Sequence, residues 1–457
     1  MNSKLFLGVS AALAAMAAFA DPNAPQATIV SVSQSQSMRE VIATYTLDEP
    51  AIITFDVKTN GVSIGKENLG EACGDVYRVV KPTTNPGEVR TICWAADRAC
   101  KGKQFASGSV TFEVVAWATN APPDYMVVSL TDKTGYPVGT RMYYTAPEQL
   151  PDGGVTNAKY KTDYLVMRLI PAKNAIFPMG LRTTKNEAVW YHRAKLTNDF
   201  YMAVYELTLG QFKNVTGSAA EVYSISKIFP NAGYSGNMAN PLAQTTYSSF
   251  RGTTKVWPGD SHEIDATCNL QKFRSVLGIG SLDLPTEAEW EFACRAGTAT
   301  DRYDGVNVSS GTEPLPTDIA WLRNNSTMFY QWSEEWGLPH EVGLLRPNAF
   351  GLYDMLGNVG EVCLDLYNVG EAYCTRNDAL DGEPVVAPIG PETDVKGDAG
   401  NATTARHVMR GGTCNAGIWA IVAYNRGYQK ANESYPCNEN VADGNLGPYG
   451  YRLVCLP

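Results

Sequence analysis

From Ala27 to about Ala118 the apolar positions come in short runs of β-branched and aromatic residues, and no helical period is sustained. Val41-Ile42-Ala43-Thr44-Tyr45, Ile52-Ile53-Thr54-Phe55-Asp56-Val57 and Val110-Thr111-Phe112-Glu113-Val114-Val115 suit a pleated, half-buried surface, so each predicts a strand. Asn60-Gly61 accepts a left-handed backbone and predicts a tight turn. Beyond residue 160 the pattern changes. Helical spacing surfaces only in short patches, set among glycine, tyrosine and loop.

Three patches carry end signals. Thr208-x-x-Gln211 is a capping box ahead of Phe212 and Val215, with Gly217 as the stop. Asp265 is placed to cap a segment with Leu270, Phe273 and Leu277 on one face, closed by Gly278. In Leu284 to Cys294, Thr286 caps and Glu289 reaches back, while Trp290, Ala293 and Cys294 share a face and Gly297 ends the helix. Glu287, Glu289 and Glu291 crowd the start of that helix, where capping and surface roles near the positive end of the dipole account for them.

Asn120-Ala121-Pro122-Pro123-Asp124 and the stretch from Pro147 to Gly154 are Pro/Gly-rich breaks. The expected organisation is a leader over 1–20, an all-β immunoglobulin-like or fibronectin-type sandwich over 21–120, a connection over 121–159, and a second domain over 160–457. Tyr125 to Tyr144 supplies one or two strands to the connection. The sandwich holds no histidine and only scattered carboxylates, which suits a spacer or docking module.

Charge and cysteines narrow the partners. A net charge of -10 and a pI of about 5.1 argue against nucleic acid or an anionic membrane as the main partner. Lys4, the apolar run Leu5 to Phe19 and Ala18-Phe19-Ala20 read as an export signal cleaved after Ala20, so a secreted or periplasmic protein is expected. No later stretch reaches the ~20 apolar residues of a membrane helix, so no membrane insertion is expected. All 10 cysteines follow the leader and none forms C-x-x-C. In an oxidising compartment that number is compatible with disulfides. Cys93 with Cys100 and Cys363 with Cys374 are the local pairings, though spacing does not decide connectivity.

The densest chemistry lies in Pro347 to Leu366, PNAFGLYDMLGNVGEVCLDL. Gly351, Gly357 and Gly360 mark backbone held in turns. Asp354, Gly357, Val359 and Glu361 can bring two carboxylates and two carbonyls around one hard cation such as calcium. Carboxylates that cap turns are the alternative use of such a loop.

Phe177-Pro178-Met179-Gly180, His192, Phe200 to Thr208 (FYMAVYELT), Leu284 to Thr298 (LPTEAEWEFACRAGT), Pro347 to Glu361, Arg410-Gly411-Gly412-Thr413 and Gly450-Tyr451-Arg452 resemble, in order, the signatures of the formylglycine-generating-enzyme, or sulfatase-modifying-factor, family. The resemblance runs from about Tyr160 to the C-terminus. It implies an α+β, C-type-lectin-like domain with little regular secondary structure. It also implies a calcium loop, here Asp354, Gly357, Val359 and Glu361. Active members are oxidases that hold copper between two cysteine thiolates and convert a sulfatase cysteine to formylglycine.

Counted from Arg410, the two thiolate slots hold Ala416 and Ile421, so copper is not expected. A tryptophan of the family's oxygen pocket is replaced by Gly360 and the next by Val362; the serine after R-G-G is Thr413. Cys414 and Cys437 are the substitutes from which a relocated thiolate pair would be built, which leaves enzyme activity open. His192, His262, His340 and His407 show no paired spacing for an iron site, and His192 reads as structural. The expected function is therefore a family member that has lost the oxidase site and presents the loops from Thr413 to Asn445 to a polypeptide or carbohydrate ligand. Trp419, Tyr424, Asn425, Arg426 and Tyr428 are the candidate contacts, being residues that give area and adaptable hydrogen bonds. An active oxidase or another oxygen-dependent reaction with relocated metal ligands, and a structural envelope protein, are the rival readings.

Overall fold

The structure is a computed structural model. It describes residues 24–34, 40–100, 110–181, 191–217, 237–243, 245–255, 257–309, 311–331, 334–368, 383–391, 394, 403–432 and 448–457. Met1 to Ala20, Cys374, Tyr435, Cys437, Asn438 and Asn440 lie outside these. The chain divides into two units. One takes the chain up to Val127 together with Arg141–Asn157; the other takes Val128–Thr140 and Ala158–Leu456. The segment 121–159 is thus shared between the units.

The first unit holds two antiparallel sheets. One has the order β1 (Ala27–Gln34), β2 (Val41–Leu47), β7 (Arg90–Trp94), β5 (Ala72–Gly74). In the other, β3 (Ala51–Thr59) pairs with β4 (Val62–Ser63), β6 (Val79–Val80) and, along its whole length, β8 (Val110–Trp117). Val41, Ala43, Tyr45 and Leu47 of β2 are buried in strict alternation, as a strand with one covered face requires. Phe55 of β3 stacks on Phe112 of β8 at 5.0 Å and lies 6.3 Å from Trp94 of β7, so the sheets meet through aromatic rings. The β3–β4 turn is Asn60-Gly61, both left-handed (φ 52 and 81). Tyr144, beyond the predicted sandwich boundary, packs its ring 4.6 Å from Tyr77.

In the second unit, β9 (Tyr164–Ile170) pairs with β10 (Phe200–Ala203). A second sheet has β11 (Gly360–Leu366) between β12 (Arg406–Arg410) and the short β14 (Tyr449–Gly450), with β13 (Arg426–Lys430) outside β12; β15 (Val454–Cys455) pairs with β10. Every residue of β11 is buried, so this strand shows none of the alternation by which strands are found in sequence. Three longer helices interrupt the loops. The first, α1 (Leu209–Thr216), has the Thr208/Gln211 capping box and left-handed Gly217. The second, α2 (Asn269–Leu277), ends at Gly278 but is capped by the Cys268 thiol. Asp265 sits too far upstream and accepts the amides of Thr253, Thr254 and Lys255 instead. The third, α3 (Glu287–Arg295), has the Thr286/Glu289 box; Ala296 already takes the left-handed cap, one residue before the expected glycine.

Glu287 and Glu291 are fully buried, which corrects the surface role expected for them. Helix α3 turns Trp290, Ala293 and Cys294 into the core, and its remaining face meets β12. There Arg410 Nε lies 2.9 Å from Glu287, and its Nη2 pairs with Glu291. Arg426 makes a second, two-pronged contact with Glu287 at 2.6 and 3.1 Å. Arg295, one helical turn on, donates to Glu291 at 2.9 Å. Burial alone would raise the Glu291 carboxyl, but Arg410 and Arg295 outweigh it and hold it below its usual range.

One carboxylate here lacks that compensation. Asp365 of β11 accepts the Glu287 amide at 2.7 Å with Oδ2, while its Oδ1 is buried without a hydrogen-bond partner. Burial and the Glu287 charge push it up to about 8.

Two predictions follow from this packing. Glu291→Ala leaves Arg410 and Arg295 without their shared carboxylate and should cost about 3–5 kcal/mol in a denaturant titration, whereas Glu289→Ala, which removes only a cap, should cost about 1 kcal/mol. Because folded Asp365 binds its proton more tightly than an unfolded aspartate, stability should fall as pH rises from about 4 to about 8. Asp365→Asn should flatten that fall, melting higher than the parent at pH 8 and level with it at pH 4; equal slopes for both proteins would refute this.

Candidate functional site

The candidate site is built on the loop leading into β11. Gly351, Asp354, Gly357 and Asn358 are all left-handed there (φ 80, 56, 81 and 56), which curls the chain tightly. At Gly357 a Cβ would run into the Trp321 carbonyl, so only glycine fits. Asn348 anchors the loop's start: its Nδ2 donates to the Ala293 and Cys294 carbonyls at the end of α3, and its Oδ1 accepts from Phe350 and Leu352.

Asn358 is the crossing point. Its Nδ2 donates to Glu206 at 2.7 Å, its Oδ1 accepts from the His340 amide at 2.9 Å, and its carbonyl accepts from the Cys414 amide at 2.8 Å. Glu206, fully buried, also accepts the Val359 amide at 3.1 Å. Neither Asn358 nor Glu206 was singled out by spacing. Both lie inside quoted motifs, Glu206 in the Phe200 to Thr208 run and Asn358 between Gly357 and Val359, and that position is the signal that would have found them.

The expected calcium ligands separate into two kinds. Glu361 is saturated: Arg452 reaches both its oxygens through Nε (3.0 and 2.9 Å) and one through Nη2 (2.6 Å), and Trp290 Nε1 donates at 2.6 Å. It is an ion-pair partner whose two oxygens are both engaged by these donors. Asp354 differs. Its Oδ2 accepts the Gly343 amide at 2.6 Å, and its Oδ1 is buried with no hydrogen-bond partner. Burial raises both Asp354, to about 6, and Glu206, and the charges of neighbouring carboxylates add to this. Three buried carboxylates share one guanidinium here, and Asp354 keeps one oxygen without a hydrogen-bond partner.

The residues in the expected thiolate slots lie in the core. Ala416 and Ile421 are 0 % exposed and pack in the cluster around Trp290, Leu356 and Cys363. Met409 fills the space beside Gly360; a Cβ on that glycine would lie 2.5 Å from its Sδ. Ile421 in turn lies against Gly412. Thr413 is buried and its Oγ1 accepts the Asn415 amide at 3.2 Å. Cys414 is also buried, donating to the Gly337 carbonyl at 3.3 Å, and burial pushes its thiol up. Among the described residues no three His, Cys, Asp or Glu side chains are arranged to hold a metal ion.

The four histidines are dispersed. His407 stacks on Tyr247 at 3.6 Å, and burial lowers it to about 3. His340 stacks on Trp321 at 3.7 Å. His262 contacts Asp283 at 3.0 Å, and His192 is buried in the strand His192–Lys195. Of the expected ligand contacts, Trp419 is 56 % exposed, and Tyr424 and Tyr428 are half-buried. Asn425 turns inward to the Ala420 carbonyl and Arg426 to Glu287, so these two support the loop from within.

The sulfatase-modifying factor enzyme 1-like domain matches residues 169–455. The chain is 26% identical to chaperone protein LppX of Paenibacillus barcinonensis over 37% of this chain and 64% of that protein. It is 31% identical to a formylglycine-generating enzyme of Streptomyces coelicolor over 37% of this chain and 46% of that one. It thus spans less than two thirds of the length of each. Among solved structures, Treponema denticola variable protein 1 aligns with a TM-score of 0.40 and 22% identity, over 64% of this chain and 96% of its own. With more than half its length matched, the chain belongs to the sulfatase-modifying factor, or formylglycine-generating-enzyme, family.

Proposed function

We propose that this chain is an exported family member in which packing has replaced the copper–thiolate site, and that its second unit serves as a ligand-binding scaffold. The observation that carries the reading is the filled hollow: Ala416 and Ile421 in the core and Met409 against Gly360. A copper site needs soft thiolates and a shaped opening for the substrate. Here one slot presents a methyl group, the other a branched hydrocarbon, and a methionine stands where the pocket wall would be. Cys414, the substitute among the described residues, is buried and donates to the Gly337 carbonyl.

The binding face is the loop around Trp419. This ring is exposed while Ile418 and Ala420 beside it are buried, so a rigid support presents a large apolar surface to solvent. A polypeptide is the favoured ligand, in keeping with a relative named as a chaperone; a carbohydrate stacking on the indole is the other. The first unit, with its facing antiparallel sheets, is proposed as an immunoglobulin-like spacer. Export rests on Lys4, the apolar run that follows and the Ala18-Phe19-Ala20 pattern.

Calcium belongs to this proposal as a structural ion, held by the free oxygen of Asp354 with the Gly357 and Val359 carbonyls. Bound there, it would neutralise the excess charge of the carboxylate cluster.

Two measurements test these readings. Copper-loaded protein mixed with a cysteine peptide of sulfatase type should consume no oxygen above a copper-only control and yield no aldehyde by mass spectrometry; turnover would overturn the reading. A chelator should lower the melting temperature of the parent but not of Asp354→Ala. Glu361→Ala should destabilise by about 3–5 kcal/mol through Arg452 yet keep its response to chelator; a parent melt unmoved by chelator removes the ion.

A further inference from the structure

The first unit brings two cysteines together that lie twenty residues apart in sequence. Cys73 of β5 and Cys93 of β7 are register partners on adjacent antiparallel strands. The amide of Asp75 donates to the Thr91 carbonyl, and that of Ala95 to the Glu71 carbonyl. These bonded pairs stand two positions to either side, so Cys73 and Cys93 occupy a hydrogen-bonded pair of the ladder. Such pairs hold their Cα atoms about 5.5 Å apart, within the span that a disulfide bridges and near its commonest value.

Accessibility sets this pair apart. Cys73 is exposed and Cys93 half-buried, whereas Cys268, Cys294, Cys363 and Cys414 are buried. The side chains of the pair are in contact: after burial, the neighbouring Cys73 thiol is what raises Cys93 most. β5 is three residues long and lies at the edge of its sheet with β7 as its neighbour. A short edge strand is weakly held, and its open side invites pairing with another chain. A covalent tie to β7 would fix it.

We propose that Cys73 and Cys93 are a disulfide-forming pair that fastens edge strand β5 to β7. The oxidant is a small disulfide of two monothiol molecules, such as oxidised glutathione. The Cys73 thiolate attacks one of its sulfurs, the oxidant's S–S bond breaks, and one half leaves as a thiol. The Cys93 thiolate then attacks the Cys73 sulfur in the mixed disulfide and expels the second half. The protein loses two protons and two electrons, the oxidant becomes two thiols, and one new S–S bond joins the strands. This pairing replaces the sequence-local one of Cys93 with Cys100.

The test is peptide mapping of the folded full-length chain, equilibrated in an oxidised and reduced glutathione buffer, then alkylated without reduction. A Cys73–Cys93 linked peptide that disappears on reduction is expected, with Cys268, Cys294, Cys363 and Cys414 unlinked to either. The oxidised parent should melt higher than the reduced one, and Cys73→Ser should abolish that difference while leaving Cys93 alkylated. Separate alkylation of Cys73 and Cys93 after oxidation, or a link from Cys93 to Cys100, overturns the proposal. Because the exposed Cys73 tolerates serine without repacking, a lost shift in that variant reports the bond and not misfolding.

Discussion

Arg410 is the constraint on which the second unit depends. One end of its guanidinium pairs with Glu287 and Glu291 on α3, while Nη1 donates to the Ala423 and Asn425 carbonyls at 2.7 and 3.0 Å. It therefore ties the helix to the loop that carries Trp419. A buried ion pair adds little net stability compared with well-packed apolar residues, but removing one partner strands the other at high cost. In a unit with few helices and much loop, this arrangement gives irregular backbone a defined position. Arg452 does the same on the other side of β11, joining Glu361 to the Ala203, Val204 and Tyr353 carbonyls.

This frame is what the proposed scaffold would rest on. The ion pairs, the left-handed loop and the Asn358 crossing are all intact, and none of them uses the thiolate slots. Those slots sit at the inner edge of the same core, where a small or branched apolar side chain packs as well as a thiol would. Ala416 and Ile421 are fully buried in that core and offer no soft ligand. Met409 occupies the space beside Gly360.

Legibility in the sequence followed local physics. The capping boxes at Thr208 and Thr286, the turn at Asn60-Gly61 and the strands β2, β3 and β8 depend on neighbours in sequence and could be read directly. Asp265 misled because an aspartate near a helix start is a cap only if no closer amides claim it, and Thr253 to Lys255 do. Glu287 and Glu291 misled because carboxylates at a helix start usually meet solvent. Their partners, Arg410 and Arg426, arrive from more than a hundred residues away. The i, i+4 spacing of Glu287, Glu291 and Arg295 on one face was the available clue. The Cys73–Cys93 contact, twenty residues apart in sequence, is hidden too, since strand register and not spacing decides it.

The proposed loss of the oxidase site requires that no two thiolates grip a redox metal beside Thr413. The most direct measurement is a Cu(I) titration of the reduced full-length chain against a competing chromophoric chelator, repeated with Cys414→Ala. The account predicts that parent and variant leave the same amount of copper on the chelator. Stoichiometric withdrawal of copper by the parent, abolished in Cys414→Ala, would contradict it.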